Sequence, residues 1–258
     1  MLLAKPDVSL LDHLAEVTRL GATLADRLDF SESLRQKVIL ACALHDIGKA
    51  TEDFQEYIRG RRRRAFPHAL ASLPFVLLAE GLLNQQQGTR HALEATAAVL
   101  THHSPLGARL YLGYRGGRVT FHESLKECLT ELWDLLAQYE VNGLPNIDDF
   151  WESLQGLLQS APADLLESVL ELGAARHSLR GLLRLQQVER FARVKAALHL
   201  ADWLASARQP DPHILFLRNG ASAIGRYARQ LEGPLRQFQR KAQSVSTEKV
   251  LWLRAPTG

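Results

Sequence analysis

Apolar residues recur at helical spacing through most of the chain. In "SLLDHLAEVTRLGATLADRL" (9–28), Leu10, Leu14, Val17, Leu20, Leu24 and Leu28 form one stripe, the pattern of a helix with one face turned to a core. "DFSESLRQKVILACALHDIGK" opens with Asp29 or Ser31 as candidate N-cap and runs to Gly48, a helix terminator. The same periodicity predicts helices over about 66–82, 89–103, 122–140, 147–159, 162–175 and 180–206. The implied fold class is all-α with one exception. "RLYLGYRGGRVTFH" (109–122) sets strand-forming residues around Gly116-Gly117, which predicts a small β-hairpin insertion. That hairpin rims a site or an interface, or is a surface flap.

The helical period fails near 207–221, where "ARQPDPHILFLRNGAS" brings two prolines and an Asn-Gly pair. Beyond it, a basic helical stretch (222–243) leads to "EKVLWLRAPTG", read as a strand over Val250–Leu253 followed by Pro-Thr-Gly. The expected organisation is one helical domain over 1–210, then a linker and the start of a second domain over 211–258.

Composition narrows the class. The 258 residues are 46% apolar, enough for a sizeable core, and 31 basic against 28 acidic residues leave a formal charge of +3. That mild excess permits a nucleic-acid partner without arguing for one. Cys42 and Cys128 each stand alone in an apolar helical context. This excludes a disulfide framework and a CxxC zinc site, and reads as buried thiols in a reducing compartment. The N-terminus lacks the charged start and apolar core of a signal peptide. The longest apolar stretch (69–83) is broken by Pro74 and Glu80 and falls short of the ~20 residues that cross a bilayer. The expectation is a cytoplasmic protein with no membrane partner.

The chemistry concentrates at "ALHDIGKAT" (43–51), where an apolar helical run ends in His45-Asp46. Neighbouring side chains diverge by about 100° within a helix, but at its end the chain reverses and both can converge. The partial negative charge there favours a cation. The alternative is a capping aspartate beside a packed histidine. Further residues of the same type shift the balance: His13 on the margin of the first stripe, His68 in "FPHALAS", His102-His103 before Ser104-Pro105, and Asp202 in the apolar "HLADWLAS". A carboxylate in such a setting needs a partner. Five histidines and two aspartates are too many for one four-coordinate ion and suit a pair of ions. The mixed N/O set fits Mn, Fe, Co, Ni or Zn, with Mg possible. Two-metal sites serve phosphoryl displacement.

His13, His45-Asp46 and Asp202 resemble the H…HD…D signature of the HD metal-dependent phosphohydrolases. "HDIGKATEDFQ", "FPHALAS", "THHSPL" and "ALHLADWLAS", in that order, resemble the HD nuclease domain of the CRISPR-associated helicase–nuclease of type I systems, over about residues 9–206. "LWLRAPTG" is similar to the strand and opening of that family's Walker A loop. The resemblance implies an HD-domain helical bundle whose His13, His45, Asp46 and Asp202 hold a first ion. Asp46 would bridge to a second, completed by His68, His102 and His103. Lys49, matching the lysine of HDxGK, would steady phosphate charge; a solvated lysine is the alternative. The implied partners are single-stranded DNA, a helicase domain in cis that alone uses ATP, and an RNA-guided CRISPR effector complex, in antiviral defence.

"YIRGRRRRAF" (57–66) places Arg59, Arg61, Arg62, Arg63 and Arg64 between Tyr57 and Phe66, in the stretch joining Asp46 to His68. The arginines would track a phosphate backbone and the aromatics stack bases, or the run is a solvated loop. On the hairpin, Arg109, Tyr111, Tyr114, Arg115 and Arg118 are a second candidate strip. His199 reads as core packing or as a group orienting Asp202, and His91, His122, His177 and His213 read as ordinary surface or core histidines. The expected function is a metal-dependent single-stranded DNA nuclease. A phosphohydrolase of nucleotides or cyclic nucleotides, and a non-catalytic nucleic-acid-docking module, are the alternatives.

Overall fold

A computed structural model of the chain describes residues 1–88, 93–104, 111, 117–171 and 188–208. Two short strands, β1 (Leu3–Lys5) and β2 (Val8–Ser9), pair antiparallel and lead into α1 (Leu10–Arg27) and α2 (Glu32–Leu44). A 3₁₀ turn (Ile47–Ala50) then precedes α3 (Glu52–Ile58), α4 (His68–Ala71), α5 (Leu73–Gln86) and α6 (Glu94–Leu100). Next come α7 (Leu125–Gln138), α8 (Ile147–Leu158), α9 (Pro162–Glu171) and α10 (Val188–Ser206). All these elements fall within one unit, Met1–Pro210. The expected second segment (211–258), Gly116 of the Gly-Gly turn with Arg109, Tyr114 and Arg115, and His91, His177 and His213 lie outside the described residues.

The described elements form an all-α bundle with a small antiparallel sheet, and that sheet is the N-terminal β1–β2 pair. α2 is its axis. Leu34 and all residues from Gln36 to Leu44 are buried, around its whole circumference, as in a helix enclosed on every side. Its neighbours are α1, α5, α6, α7 and α10. α1 is amphipathic in the ordinary sense. Ser9 accepts a hydrogen bond from the Asp12 amide at 3.0 Å and caps its start. Leu10, Leu14, Val17, Leu20 and Leu24 are fully buried, each stabilising the fold by roughly 1.5–3 kcal/mol. Gly21 lets α1 approach α2 closely, since a Cβ there would overlap the Cys42 side chain. Both cysteines are buried and free.

One buried polar cluster ties the bundle together away from the histidines. Lys37 of α2 donates to Glu80 Oε1 at 2.6 Å and to Asn84 Oδ1, both on α5, and pairs with Glu94 Oε2 at 3.4 Å. Glu80 in turn accepts the amides of Ala95 and Thr96 at 2.8 and 2.7 Å. It thereby satisfies the free N–H groups at the start of α6. Arg190 of α10 reaches Glu94 Oε1 at 2.8 Å. Glu80, the charge that interrupts the apolar 69–83 stretch, thus anchors α2, α5 and α6, and Glu94 adds α10 to the cluster.

Helix α2 ends at Leu44, before the His-Asp pair, and the chain turns through the 3₁₀ segment. Gly48 does not take the left-handed conformation expected of a glycine terminator. It is required for a different reason. A Cβ there would strike the His68 carbonyl and lie 2.8 Å from Ala71 Cβ and from the Ser72 amide. Glycine therefore lets the turn press against α4. Among the described residues, no helix is long and apolar enough to cross a membrane.

Candidate metal centre

Asp46 follows α2 and points its two carboxylate oxygens at two different groups of imidazoles. Oδ2 lies 3.4 Å from His13 Nε2 on α1 and 3.4 Å from His45 Nε2 at the end of α2. Oδ1 lies 3.2 Å from His68 Nε2, the first residue of α4, and 3.5 Å from His102 Nε2 beyond the end of α6. Asp202 of α10 completes the first group, with Oδ1 3.4 Å from His13 Nε2 and 3.9 Å from His45 Nε2. His103 completes the second, with Nε2 3.0 Å from His68 Nε2. Donor atoms of His13, His45 and Asp202 all lie within 4.8 Å of one another, as do those of Asp46, His68, His102 and His103. All seven residues proposed from the sequence as ligands come together here.

The donor set fits cations on its own evidence. His45 Nδ1 donates to the Cys42 carbonyl at 2.9 Å, and His102 Nδ1 donates to the Val99 carbonyl at 2.6 Å. A carbonyl only accepts, so Nδ1 carries a proton and, in the neutral ring, Nε2 is the lone pair facing inward. His13 Nε2, His45 Nε2, His102 Nε2 and Asp46 Oδ1 are buried without a hydrogen-bond partner. Such atoms cost ~1–3 kcal/mol each when nothing compensates them. Two ligands bonded at ~2.1 Å to one ion lie ~3.0–3.4 Å apart, close to the separations found here.

Electrostatics points the same way at Asp46, Asp202, His68 and His103. Burial alone would raise the Asp46 carboxyl, but His45, Lys49 and His68 outweigh it and hold it well below the usual range. Asp202 follows the same logic, burial being opposed by the adjacent His13 and His45 imidazoles, so it too is lowered. Burial pushes His68 down to about 3 and His103 down to about 4, His102 and Lys49 adding to both. These imidazoles are neutral near pH 7, the form that ligates metal. His13 is raised: burial works against it, and the Asp202 and Asp46 carboxylates prevail.

Lys49, carried by the 3₁₀ turn, places Nζ 2.6 Å from Asp46 Oδ2 with its side chain 11% exposed. Two supports were not read from the sequence. Ser72 Oγ accepts from the Gly48 amide at 2.9 Å and lies 3.0 Å from the His45 and His68 carbonyls. It pins the turn to α4. Gln55 of α3 donates to the Lys49 and Leu3 carbonyls at 2.8 and 2.9 Å, joining the turn to β1. A lone serine or glutamine on a short helix carries no pattern that would have revealed either role.

The arginine run forms the loop between α3 and α4. Arg59 donates to the Gln55 carbonyl at 2.9 Å, Arg61 pairs with Glu56 at 2.5 Å, and Arg62 pairs with Asp53. Arg63 and Arg64 are exposed. Of the flanking aromatics, Tyr57 is half exposed, but Phe66 is buried. Phe66 is therefore unavailable for base stacking, because its ring belongs to the core. His122 accepts from the Ser124 amide at 3.1 Å and takes no part in the centre. His199 is half-buried on α10, its ring 5.8 Å from that of Trp203.

No curated protein matches this sequence. Among solved structures, the CRISPR-associated Cas3 HD domain protein from Methanocaldococcus jannaschii is similar, at 18% identity and a TM-score of 0.43, over 78% of this chain and 98% of that one. The profile of the family described as "Cas3, HD domain" matches residues 8–209, a span that holds His13, the His45-Asp46 corner and Asp202 alike. The chain belongs to the Cas3 HD-domain family.

Proposed function

We propose that this chain hydrolyses phosphodiester bonds of single-stranded DNA with two divalent transition-metal ions. The observation that carries this reading is the division of the Asp46 carboxylate, Oδ2 towards His13 and His45, Oδ1 towards His68 and His102. His13, His45, Asp46 and Asp202 would hold one ion, and Asp46, His68, His102 and His103 the other. Mn, Fe, Co or Ni suits such ligands, with Mg a poorer match. Ions of this kind supply Lewis acidity, which makes hydroxide accessible near neutral pH and stabilises the attacking and leaving oxygens of a phosphoryl displacement.

The chain's own residues prepare that chemistry. Backbone carbonyls anchor His45 and His102 through Nδ1 and leave Nε2 of each aimed into the centre. Asp46 stays ionised despite burial and keeps negative charge in the pocket. Lys49 sets an ammonium beside it, where it would meet the non-bridging oxygens of a phosphodiester and stabilise charge that grows in the transition state. Exposure rises from the buried His45 and Asp46 through Asp202 and His68 to the exposed His103. Substrate would enter from that open side. Arg63 and Arg64, on the loop leading to His68, would meet the strand's phosphates.

Family membership supports a wider setting in CRISPR-associated defence. There a helicase domain in cis would use ATP to feed a single strand delivered by an RNA-guided effector complex. The chain itself should cut without ATP. The test is to purify it without added metal and assay a single-stranded oligonucleotide with Mn, Fe, Co, Ni, Mg and Zn in turn. Phosphate release from mononucleotides and cyclic nucleotides is followed in parallel. Ion-dependent strand cleavage is expected. Hydrolysis of small nucleotides alone would transfer the site to a nucleotide phosphohydrolase, and no reaction with any ion would overturn the proposal.

A further inference from the structure

α10 carries Asp202 into the centre, and its next residue is the most exposed tryptophan among the described residues. Trp203 is 64% exposed, whereas Trp133 is 8% exposed with its indole N–H donated to the Pro145 carbonyl. A single exposed ring is ordinary on a protein surface, but this one adjoins a residue of the metal centre and is free to stack on a ligand. Successive helical residues turn by about 100°, so Trp203 cannot share the inward direction of Asp202. It stands instead on the adjoining outer side. His199, one turn earlier, lies between the two directions. Its ring is 5.8 Å from the indole, and it also sits beside His102, with Nε2 buried and unpartnered. Trp203 therefore stands on the solvent side of α10, next to the half-buried Asp202 and His199.

Lys195 extends the same row. Residues 195, 199 and 203 are spaced four apart, which puts successive Cβ atoms of the row ~5–6 Å apart along one face. Lys195 is half-buried and donates to the Ser104 carbonyl at 2.6 Å, just past the His102-His103 pair. An ammonium has three N–H donors, so two remain. Ala192 and Ala196 on the outer flank are small and exposed, so no bulky side chain of α10 shields the row. A cation, an imidazole and a bare indole in line beside a phosphodiester-cleaving centre match a backbone phosphate followed by an unpaired base. A duplex offers no exposed base faces to an indole, and a mononucleotide would not need the length.

The geometry points to Lys195, His199 and Trp203 as a track for single-stranded nucleic acid along α10, with Trp203 as a stacking platform for a base beside the scissile phosphate. This rests on the proposed nuclease function, yet its test does not need cleavage. Binding of a fluorescent oligothymidylate is measured by anisotropy in EDTA, with an abasic strand of equal length as the comparison. Trp203→Ala should weaken oligothymidylate binding about 10-fold, in line with stacking worth ~1–3 kcal/mol per base. It should change abasic binding little, and Trp203→Phe should restore most of the affinity. Lys195→Met should weaken both strands and lower the salt dependence by about one charge. Circular dichroism verifies that each variant is folded. Equal oligothymidylate binding by native and Trp203→Ala chains, or an equal loss for the abasic strand, would overturn the track. If the native chain binds as expected but cuts with no ion, the nuclease proposal fails while the track stands.

Discussion

Lys49 Nζ stands 2.6 Å from Asp46 Oδ2, three residues along the same turn. The ammonium reaches the oxygen that also faces His13 and His45. If Lys49 serves transition-state charge, its removal should slow the chemical step and leave the ions in place. Lys49→Met is expected to keep native ion stoichiometry and to lower kcat about 100-fold, the scale for one lost electrostatic contact. Single-turnover cleavage with saturating metal measures this. A native rate, or lost ions with an otherwise normal rate, would reduce Lys49 to a counter-charge.

Gly48 allows the turn bearing Asp46 to rest on α4. Gly48→Ala must push away the His68 carbonyl or the Ser72 amide, which are backbone groups and yield little. A cost of ~1–3 kcal/mol, typical of overpacking, is expected in urea unfolding. Because His68 begins α4, ion affinity should fall as well. Unchanged stability and unchanged ion binding would show that the turn has room to relax.

Lys37 is fully buried among Glu80, Asn84 and Glu94. Lys37→Met leaves acidic groups in the core without their cation, and removing one partner of a buried pair costs ~3–5 kcal/mol. Thermal and urea unfolding should both register the loss. A variant as stable as the native chain would mean that Arg190 alone satisfies Glu94.

The same cluster gives an acid dependence. Burial would raise the Glu94 carboxyl, but Lys37 and a hydrogen bond from Arg190 outweigh it and lower it from its ordinary value of 4.5. A lowered carboxyl contributes stability that is fully present above its unfolded value and disappears as pH falls through its folded one. Urea midpoints should therefore drop as pH is taken from neutral to below 4.5. Glu94→Gln should lessen that drop. An identical pH profile for the variant would assign the acid loss to other groups.

Much of the fold was legible because α1, α7 and α8 bury one stripe each, and period survives in sequence. α3 was not foreseen. Only Phe54 and Gln55 of its seven residues are buried, so it has no stripe, and its sole signal is the Thr51 cap, which accepts from the Phe54 amide at 3.3 Å. β1 and β2 are too short to show alternation. The ligand candidates were legible as residue types at helix ends, but their separations depend on how five distant segments pack. Phe66 flanks the arginine run in sequence, but a flanking position says nothing of burial, and its ring is in the core. Lys37 reads locally as a solvent-facing charge, and only its distant partners Glu80 and Glu94 reveal otherwise.

The most direct test of the account is an ion count by mass spectrometry and equilibrium titration with Mn, comparing the native chain with Asp46→Ala. A carboxylate shared by two ion sites predicts two ions per native chain and at most one, weakly held, in the variant. Fewer than two in the native chain, or two bound at unchanged affinity without the Asp46 carboxylate, would contradict it.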